Sequence, residues 1–171
     1  GRLFLRVNRE KTQVAHVNRV KFLGHGFYIH RGEGKLRVHP KSIRKLETSI
    51  REVTRRSNGM GIEKRKTLLT QKVRGWVNYF KLADMKQLMR KLDEWLRSRI
   101  RMVVWKRWKR VRTRFANLKK LGIPAKQAWM WANTRKGYWR TAHSPILSLT
   151  LSKERIKRAG YPSFEAYYAQ R

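Results

Sequence analysis

The side chains that most often carry covalent or acid–base chemistry are scarce in this sequence and poorly spaced for it. Asp93 and Glu94 are neighbours in a helical stretch, so they point about 100° apart and do not form a paired-carboxylate site. They read as surface groups, or as ion-pair partners of Arg90 and Arg97. His143 and Ser144 also adjoin, but a serine nucleophile needs a base within hydrogen-bond reach and a third group to orient it. Ser144 before Pro145 reads better as the cap of a helix. The five histidines, at 16, 25, 30, 39 and 143, show no pairing with carboxylates at metal-ligand spacing, and cysteine is absent. That excludes disulfides and thiolate metal sites and leaves no metal residue to name. The glycines of GHGFY (24–28) and RGEG (31–34) lack the strand, glycine loop and helix order of a phosphate cradle, and read as turns or close backbone approaches.

Cationic and aromatic side chains, by contrast, are concentrated together. Forty-four Lys and Arg against ten Asp and Glu leave a formal charge of +34 on 171 residues, a self-repulsion that calls for a polyanionic partner. No carboxylate stands between Glu94 and Glu154, whereas sixteen Lys or Arg lie in that interval. Lys106, Arg107, Lys109 and Arg110 flank Trp105 and Trp108, with Arg112 and Arg114 close behind. The two indoles are either core beneath a cationic rim or part of that rim. In TRKGYWR, Arg135, Lys136 and Arg140 surround Tyr138 and Trp139 at a glycine break, a composition suited to phosphate contact with stacking on a base or sugar. Packing and stacking are equally good readings of those two rings. Nucleic acid is the expected partner. No apolar run of membrane-spanning length, signal-peptide core or lipidation motif points to a membrane, and the expected location is the cytoplasm.

The elements that must position these groups follow from hydrophobic periodicity. RLFLRV alternates, VKFLGHGFYIH is rich in aromatic and β-branched residues, and RGEGKLRVH returns after glycine, so a β-hairpin is expected with its turn at Gly32 to Gly34. After Pro40 the period changes. Ile43, Leu46, Ile50 and Val53 mark one face of a helix ended by Ser57 to Gly59. A second helix over 62–82 carries the stripe Leu69, Val73, Trp76, Val77 and Phe80, with Gly75 expected at a close helix contact. Asp84 and Gln87 resemble a capping box that opens a third helix, buried along Leu88, Leu92, Trp95, Leu96, Ile100 and Val103. These three should form a bundle. Shorter helices follow: one through Phe115, Leu118 and Leu121 to Gly122, one from Pro124 to Asn133, and others capped by Ser144, Ser152 and Ser163. The expected class is mainly α with N-terminal strands, divided as 1–40, 41–108 and 109–171.

The order of these features resembles a known family. LRVNREKTQVAHVNRVKFLGHGFYI is similar to the last palm segment of bacterial group II intron reverse transcriptases, the intron-encoded maturases. Asn8, Lys11 and Thr12 fill one element, and Phe22, Leu23, Gly24, Gly26 and Phe27 fill a hairpin, with His25 where an aromatic residue is commoner. LTQKVRGWVNYFKLADM resembles the family's thumb through Arg74, Gly75, Trp76, Tyr79 and Phe80. Leu121 to Ile123, Ala128, Trp129, Ala132 to Arg140, Ser144, Pro145, Leu147 and the closing LSKERIKRAGYPSFEAYY resemble its maturase domain X.

That resemblance implies a hairpin whose Phe22, Leu23 and Gly24 act as a primer grip, a thumb that clamps the template–primer duplex, and a domain that binds group II intron RNA and assists splicing. Lys64, Arg65, Lys72 and Arg74 then join the later cations as expected nucleic-acid contacts. Target DNA and the palm and fingers of the same protein are further implied partners. The polymerase's catalytic aspartates belong upstream of the hairpin, so no catalytic residue and no cofactor is expected in this chain, and magnesium is expected only in that palm active site. The alternative is a stand-alone structural RNA-binding protein unrelated to a polymerase.

Overall fold

The structure, a computed structural model, describes residues 15–170. The first expected strand, RLFLRV, and the positions Asn8, Lys11 and Thr12 lie outside the described residues. The fold is mainly α with a small N-terminal sheet, as the periodicity implies.

A 3-10 turn over Val17–Arg19 leads into β1 (Lys21–Phe22), β2 (His25–His30) and β3 (Glu33–Val38), antiparallel in the order β1-β2-β3. Both connections are two-residue turns with positive φ at each position: Leu23 at 46° and Gly24 at 81°, then Arg31 at 53° and Gly32 at 79°. This is the turn whose twist matches a hairpin. The second turn therefore sits at 31–32, not at 32–34, because His30 pairs with Glu33 and Gly34 already opposes Ile29 in the ladder.

Helix α1 (Pro40–Val53) starts with proline in its first turn and with His39 as cap, whose Nδ1 accepts the Lys41 N–H at 3.2 Å. It buries Leu46, Ile50 and Val53, and α2 (Ile62–Phe80) buries Leu69, Val73, Val77 and Phe80. Gly75 does not mark a close contact: a Cβ there would meet open space. Helix α3 (Lys86–Arg107) has 22 residues, about 33 Å at 1.5 Å per residue. Asp84 does not cap it. Its carboxylate instead accepts the Tyr28 hydroxyl at 3.1 Å and its N–H donates to the Leu36 carbonyl at 3.0 Å, tying the sheet to the α2–α3 turn.

Six short helices follow: α4 (Val111–Lys120), α5 (Ala125–Ala132), α6 (Tyr138–Ala142), α7 (Pro145–Thr150), α8 (Lys153–Arg158) and α9 (Phe164–Tyr168). Ser152 and Ser163 cap α8 and α9 as expected. Ser144 does not use its side chain that way, since its hydroxyl donates to the Thr141 carbonyl at 2.6 Å.

Helix α3 joins two packed regions. Met89, Leu92, Leu96 and Ile100 share one core with α1 and α2, whereas Trp105 belongs to another with Leu118, Ile123, Ala128, Ile146 and Leu147. The chain then returns, and Ile156, Tyr161 and Phe164 enter the first core. Asp93 fixes this return. Expected at the surface, it is 2 % exposed, and its carboxylate accepts the Phe164 N–H at 2.7 Å, the Ser163 hydroxyl at 2.7 Å and the Glu165 N–H at 3.1 Å. A carboxylate is well placed there, against the free N–H groups that begin α9. Arg90, the expected ion-pair partner of this acidic pair, reaches Glu165 instead, at 3.3 Å.

Candidate nucleic-acid interface

One side of α3 faces the end of α1, the α1–α2 loop and α6, and these elements bring together a row of cations and rings. The Arg51 guanidinium lies 5.5 Å from the Trp95 ring centre, that of Arg99 5.6 Å from Trp139, and that of Arg56 5.0 Å from Tyr138, which Lys106 also meets at 5.0 Å. The spacing suits cation–π attraction. It also holds the flexible cationic side chains in place, which lowers the entropy cost of binding an anion there.

Arg99 organises this row. Its Nε donates to the Thr54 hydroxyl at 2.9 Å, and one terminal nitrogen donates to the carbonyls of Arg51 at 3.3 Å and Thr54 at 3.4 Å. It thereby satisfies carbonyls at the C-terminal end of α1 while holding the Trp139 ring. Burial, and then Arg51, lowers the pKa of this guanidinium, which nonetheless stays charged. Beside the row lies a hollow of about 400 Å³ walled by Arg56, Lys106, Arg107 and Lys109.

The two rings of the TRKGYWR segment therefore differ. Tyr138 is half-buried with two cations on its ring, whereas Trp139 is 41 % exposed, with Arg99 on one side and His143 edge-on at 4.4 Å. Trp139 can take a stacked base, and Tyr138 is packed.

The tryptophans of WKRWKR are core under a cationic rim: Trp105 is buried, and Trp108 packs against it at 5.8 Å. Two of the cations expected to touch nucleic acid have partners within the protein. Arg65 is 6 % exposed, its Nε donating to the Val53 carbonyl at 3.0 Å and a terminal nitrogen to Asn58 Oδ1 at 2.9 Å, so it secures the α1–α2 loop. Arg114 is half-buried over Trp105 at 4.7 Å, and its Nε donates to the Trp108 carbonyl at 2.9 Å. Both sets of contacts have one cause: a helix end has carbonyls to satisfy, and a long guanidinium can reach them from a neighbouring helix. Arg107, Lys109, Arg110, Arg112, Arg135 and Arg140 are exposed, as is Lys136, whose ammonium lies 5.6 Å from the Trp131 ring centre.

A second feature is the β1–β2 turn. Phe22 and Leu23 project at its tip, 63 % and 65 % exposed. Helices α1 and α2 hold its base: the Ser42 hydroxyl donates to the Gly24 carbonyl at 2.9 Å, as the His39 N–H does at 3.0 Å, and the Tyr79 hydroxyl donates to the Leu23 carbonyl at 3.0 Å. Gly24 is required twice over, by its φ of +81° and because a Cβ would sit 3.0 Å from Ser42 Oγ and 3.1 Å from Phe80 Cζ. A groove of about 430 Å³ runs beside the turn, with Lys21, Lys45 and Lys72 on its walls. Lys64 and Arg74 are exposed elsewhere on α2. His25 lies between Tyr79 and Phe80, ring centres 6.0 and 4.9 Å away.

Sequence reasoning missed Arg51, Arg56, Trp95 and Arg99. A signal exists for the last two, an aromatic residue and an arginine one helical turn apart, and Trp95, which packs partly against the first core as its place in the stripe implies, still offers its ring to Arg51. Arg51 and Arg56 join the row only because α1 and its following loop pack beside α3.

Two comparisons bear on this arrangement. Residues 43–122 match the family model described as group II intron, maturase-specific domain. That interval runs from Ile43 in α1 to Gly122 after α4 and includes all of α2 and α3. No curated protein matches the chain.

Proposed function

Because the chain carries a group II intron maturase-specific domain over residues 43–122, which implies an intron-related, RNA-binding role, we propose that it is the thumb and maturase portion of a group II intron reverse transcriptase. The single observation that carries this reading is the row of cation-on-ring pairs formed by α1, α3 and α6. It combines fixed charge for phosphates with an indole open to a base.

In the proposed mechanism, intron RNA lies along this row and over the exposed cations at 107–112 and 135–140, held for splicing by charge and shape. The α1–α3 bundle closes on a template–primer duplex, and the Phe22–Gly24 turn, anchored by Ser42 and Tyr79, positions the strand end beside the Lys21, Lys45 and Lys72 groove. Target DNA is a further partner, as are the palm and fingers of the same protein. The setting is the bacterial cytoplasm. Two-metal nucleotidyl transfer requires clustered carboxylates, which the proposal places in the palm of the same protein.

Binding of group II intron RNA by the full chain, followed by fluorescence anisotropy against salt, tests the proposal. Six to ten phosphate contacts lower the affinity by about 10³ to 10⁵ between 50 and 200 mM salt. Replacing Arg56 and Lys106 together with alanine should reduce the logarithmic salt slope by about 2. A flat salt response, or equal affinity for intron RNA and an unrelated structured RNA, would refute it.

A further inference from the structure

The α4–α5 hairpin carries a surface that the row described above does not include. Trp129 and Met130 of α5 are 59 % and 62 % exposed, although α5 buries Ala128, which joins the second core, and Ala132. Phe115 of α4 meets the Trp129 ring edge-on at 5.8 Å, and the Lys119 ammonium lies 5.9 Å from the Phe115 ring centre. Phe115 thus supports the indole from within the hairpin and leaves most of it in water. A large indole held in water by a supporting ring is free to stack on a flat partner, while Met130, the next residue of the helix, points about 100° away. The surrounding charge has one sign: Arg112, Lys119, Lys120 and Lys126 lie on the same two helices, in an interval of sequence without a carboxylate.

We infer that Trp129 is the stacking residue of a second nucleic-acid site, one that takes an unpaired base, with Lys119 and Lys126 for the flanking phosphates. The inference rests on the proposed RNA-binding function and adds to it a preference for single-stranded segments. The chemistry favours a base over other anionic partners. Each base offers a flat π face to an indole, and such stacking tolerates any sequence. A lipid surface would be met by a continuous apolar face, whereas α5 exposes just this tryptophan–methionine pair among large apolar residues. A second copy of the chain is opposed by the +34 charge. In the paired regions of an RNA the bases are already stacked on one another, so loops and bulges are where this site acts.

The experiment measures binding of the full chain and its Trp129→Ala and Trp129→Phe variants to a short oligoadenylate, to a blunt RNA duplex and to phosphatidylserine-containing vesicles. Trp129→Ala should weaken oligoadenylate binding by roughly 5- to 140-fold, the equivalent of about 1–3 kcal/mol per stacked base. Duplex affinity and the salt slope should stay within about twofold, because no cation is removed. Trp129→Phe should keep most of the affinity, and thermal melting of both variants should match the parent. Equal losses on single strand and duplex, no loss on either, or a loss confined to the vesicles would each overturn the inference. If the parent chain binds RNA with a steep salt slope and Trp129→Ala changes nothing, this inference fails alone. If the parent binds no RNA, the proposed function fails with it.

Discussion

Replacing Asp93 with alanine should remove much of the stability of the first core without touching any candidate RNA contact. Three donors converge on this buried carboxylate: the N–H groups of Phe164 and Glu165 and the Ser163 hydroxyl. A hydrogen bond to a charged group contributes about 1.5–3 kcal/mol, and a buried donor left without its partner costs about 1–3 kcal/mol. The three bonds share one acceptor, so their effects do not add. A total of about 3–5 kcal/mol follows, or roughly 6–20 °C in melting temperature for a chain of this size. Asp93→Asn keeps one carbonyl acceptor and should lose about half as much, and Ser163→Ala, which removes one donor to the carboxylate and the oxygen that accepts the Ala166 N–H, should lose about 1 kcal/mol. Urea titration followed by circular dichroism measures all three. If α9 alone undocks, amide exchange at Ala166 to Ala169 should rise first and the urea slope should fall. A change below about 0.5 kcal/mol in Asp93→Ala would refute the argument that this carboxylate holds the returning chain.

Further outcomes follow from the same geometry. Gly24→Ala should cost about 1–3 kcal/mol in thermal or urea unfolding, since it adds both backbone strain and the contacts with Ser42 and Phe80. Burial, and after it Lys21, Lys41 and Arg37, lowers the pKa of His39. The native state therefore binds its proton less readily than the unfolded chain, and the stability present above about pH 6.5 is lost as the pH falls through and below that value. His39→Asn preserves a capping acceptor without titrating and should flatten this part of a melting-temperature profile against pH. Arg65→Ala should destabilise by about 2–4 kcal/mol through the unpaired loop groups, while Lys64→Ala should leave unfolding unchanged. Alanine at Arg135, Lys136 and Arg140 together should reduce the salt slope of RNA binding by up to about 3 if each meets a phosphate.

Helices with one apolar stripe were legible in the sequence, and so was the aromatic and cationic character of TRKGYWR, because both depend on local spacing. What was not legible depends on contacts between distant segments. Nothing near Asp93 reveals that its donors lie some seventy residues further on. Asp84 has the spacing of a cap, yet the Tyr28 hydroxyl and the Leu36 carbonyl draw it to the sheet. Arg65 and Arg112 are alike in composition, and only the packing of α1 against α2 makes one a loop anchor and leaves the other in solvent. Gly75 looked like a contact glycine, but which side of α2 faces its neighbours is decided by Leu69, Val73 and Val77. Trp139 and Tyr138, equal in the sequence, separate once Arg56 and Lys106 are seen to close on the tyrosine.

The route of the chain also has a consequence for biosynthesis. The wall of the first core that Ile156, Tyr161 and Phe164 supply is among the last parts of the described chain to leave a ribosome, and domains synthesised from the N-terminus fold as their residues emerge. Until then α2 and α3 present an uncovered apolar flank and Asp93 lacks all three of its donors. Nascent molecules should thus be at their most vulnerable to protease and most dependent on chaperones just before α9 emerges. A stalled-ribosome series should show protection appearing abruptly once residue 168 has cleared the exit tunnel.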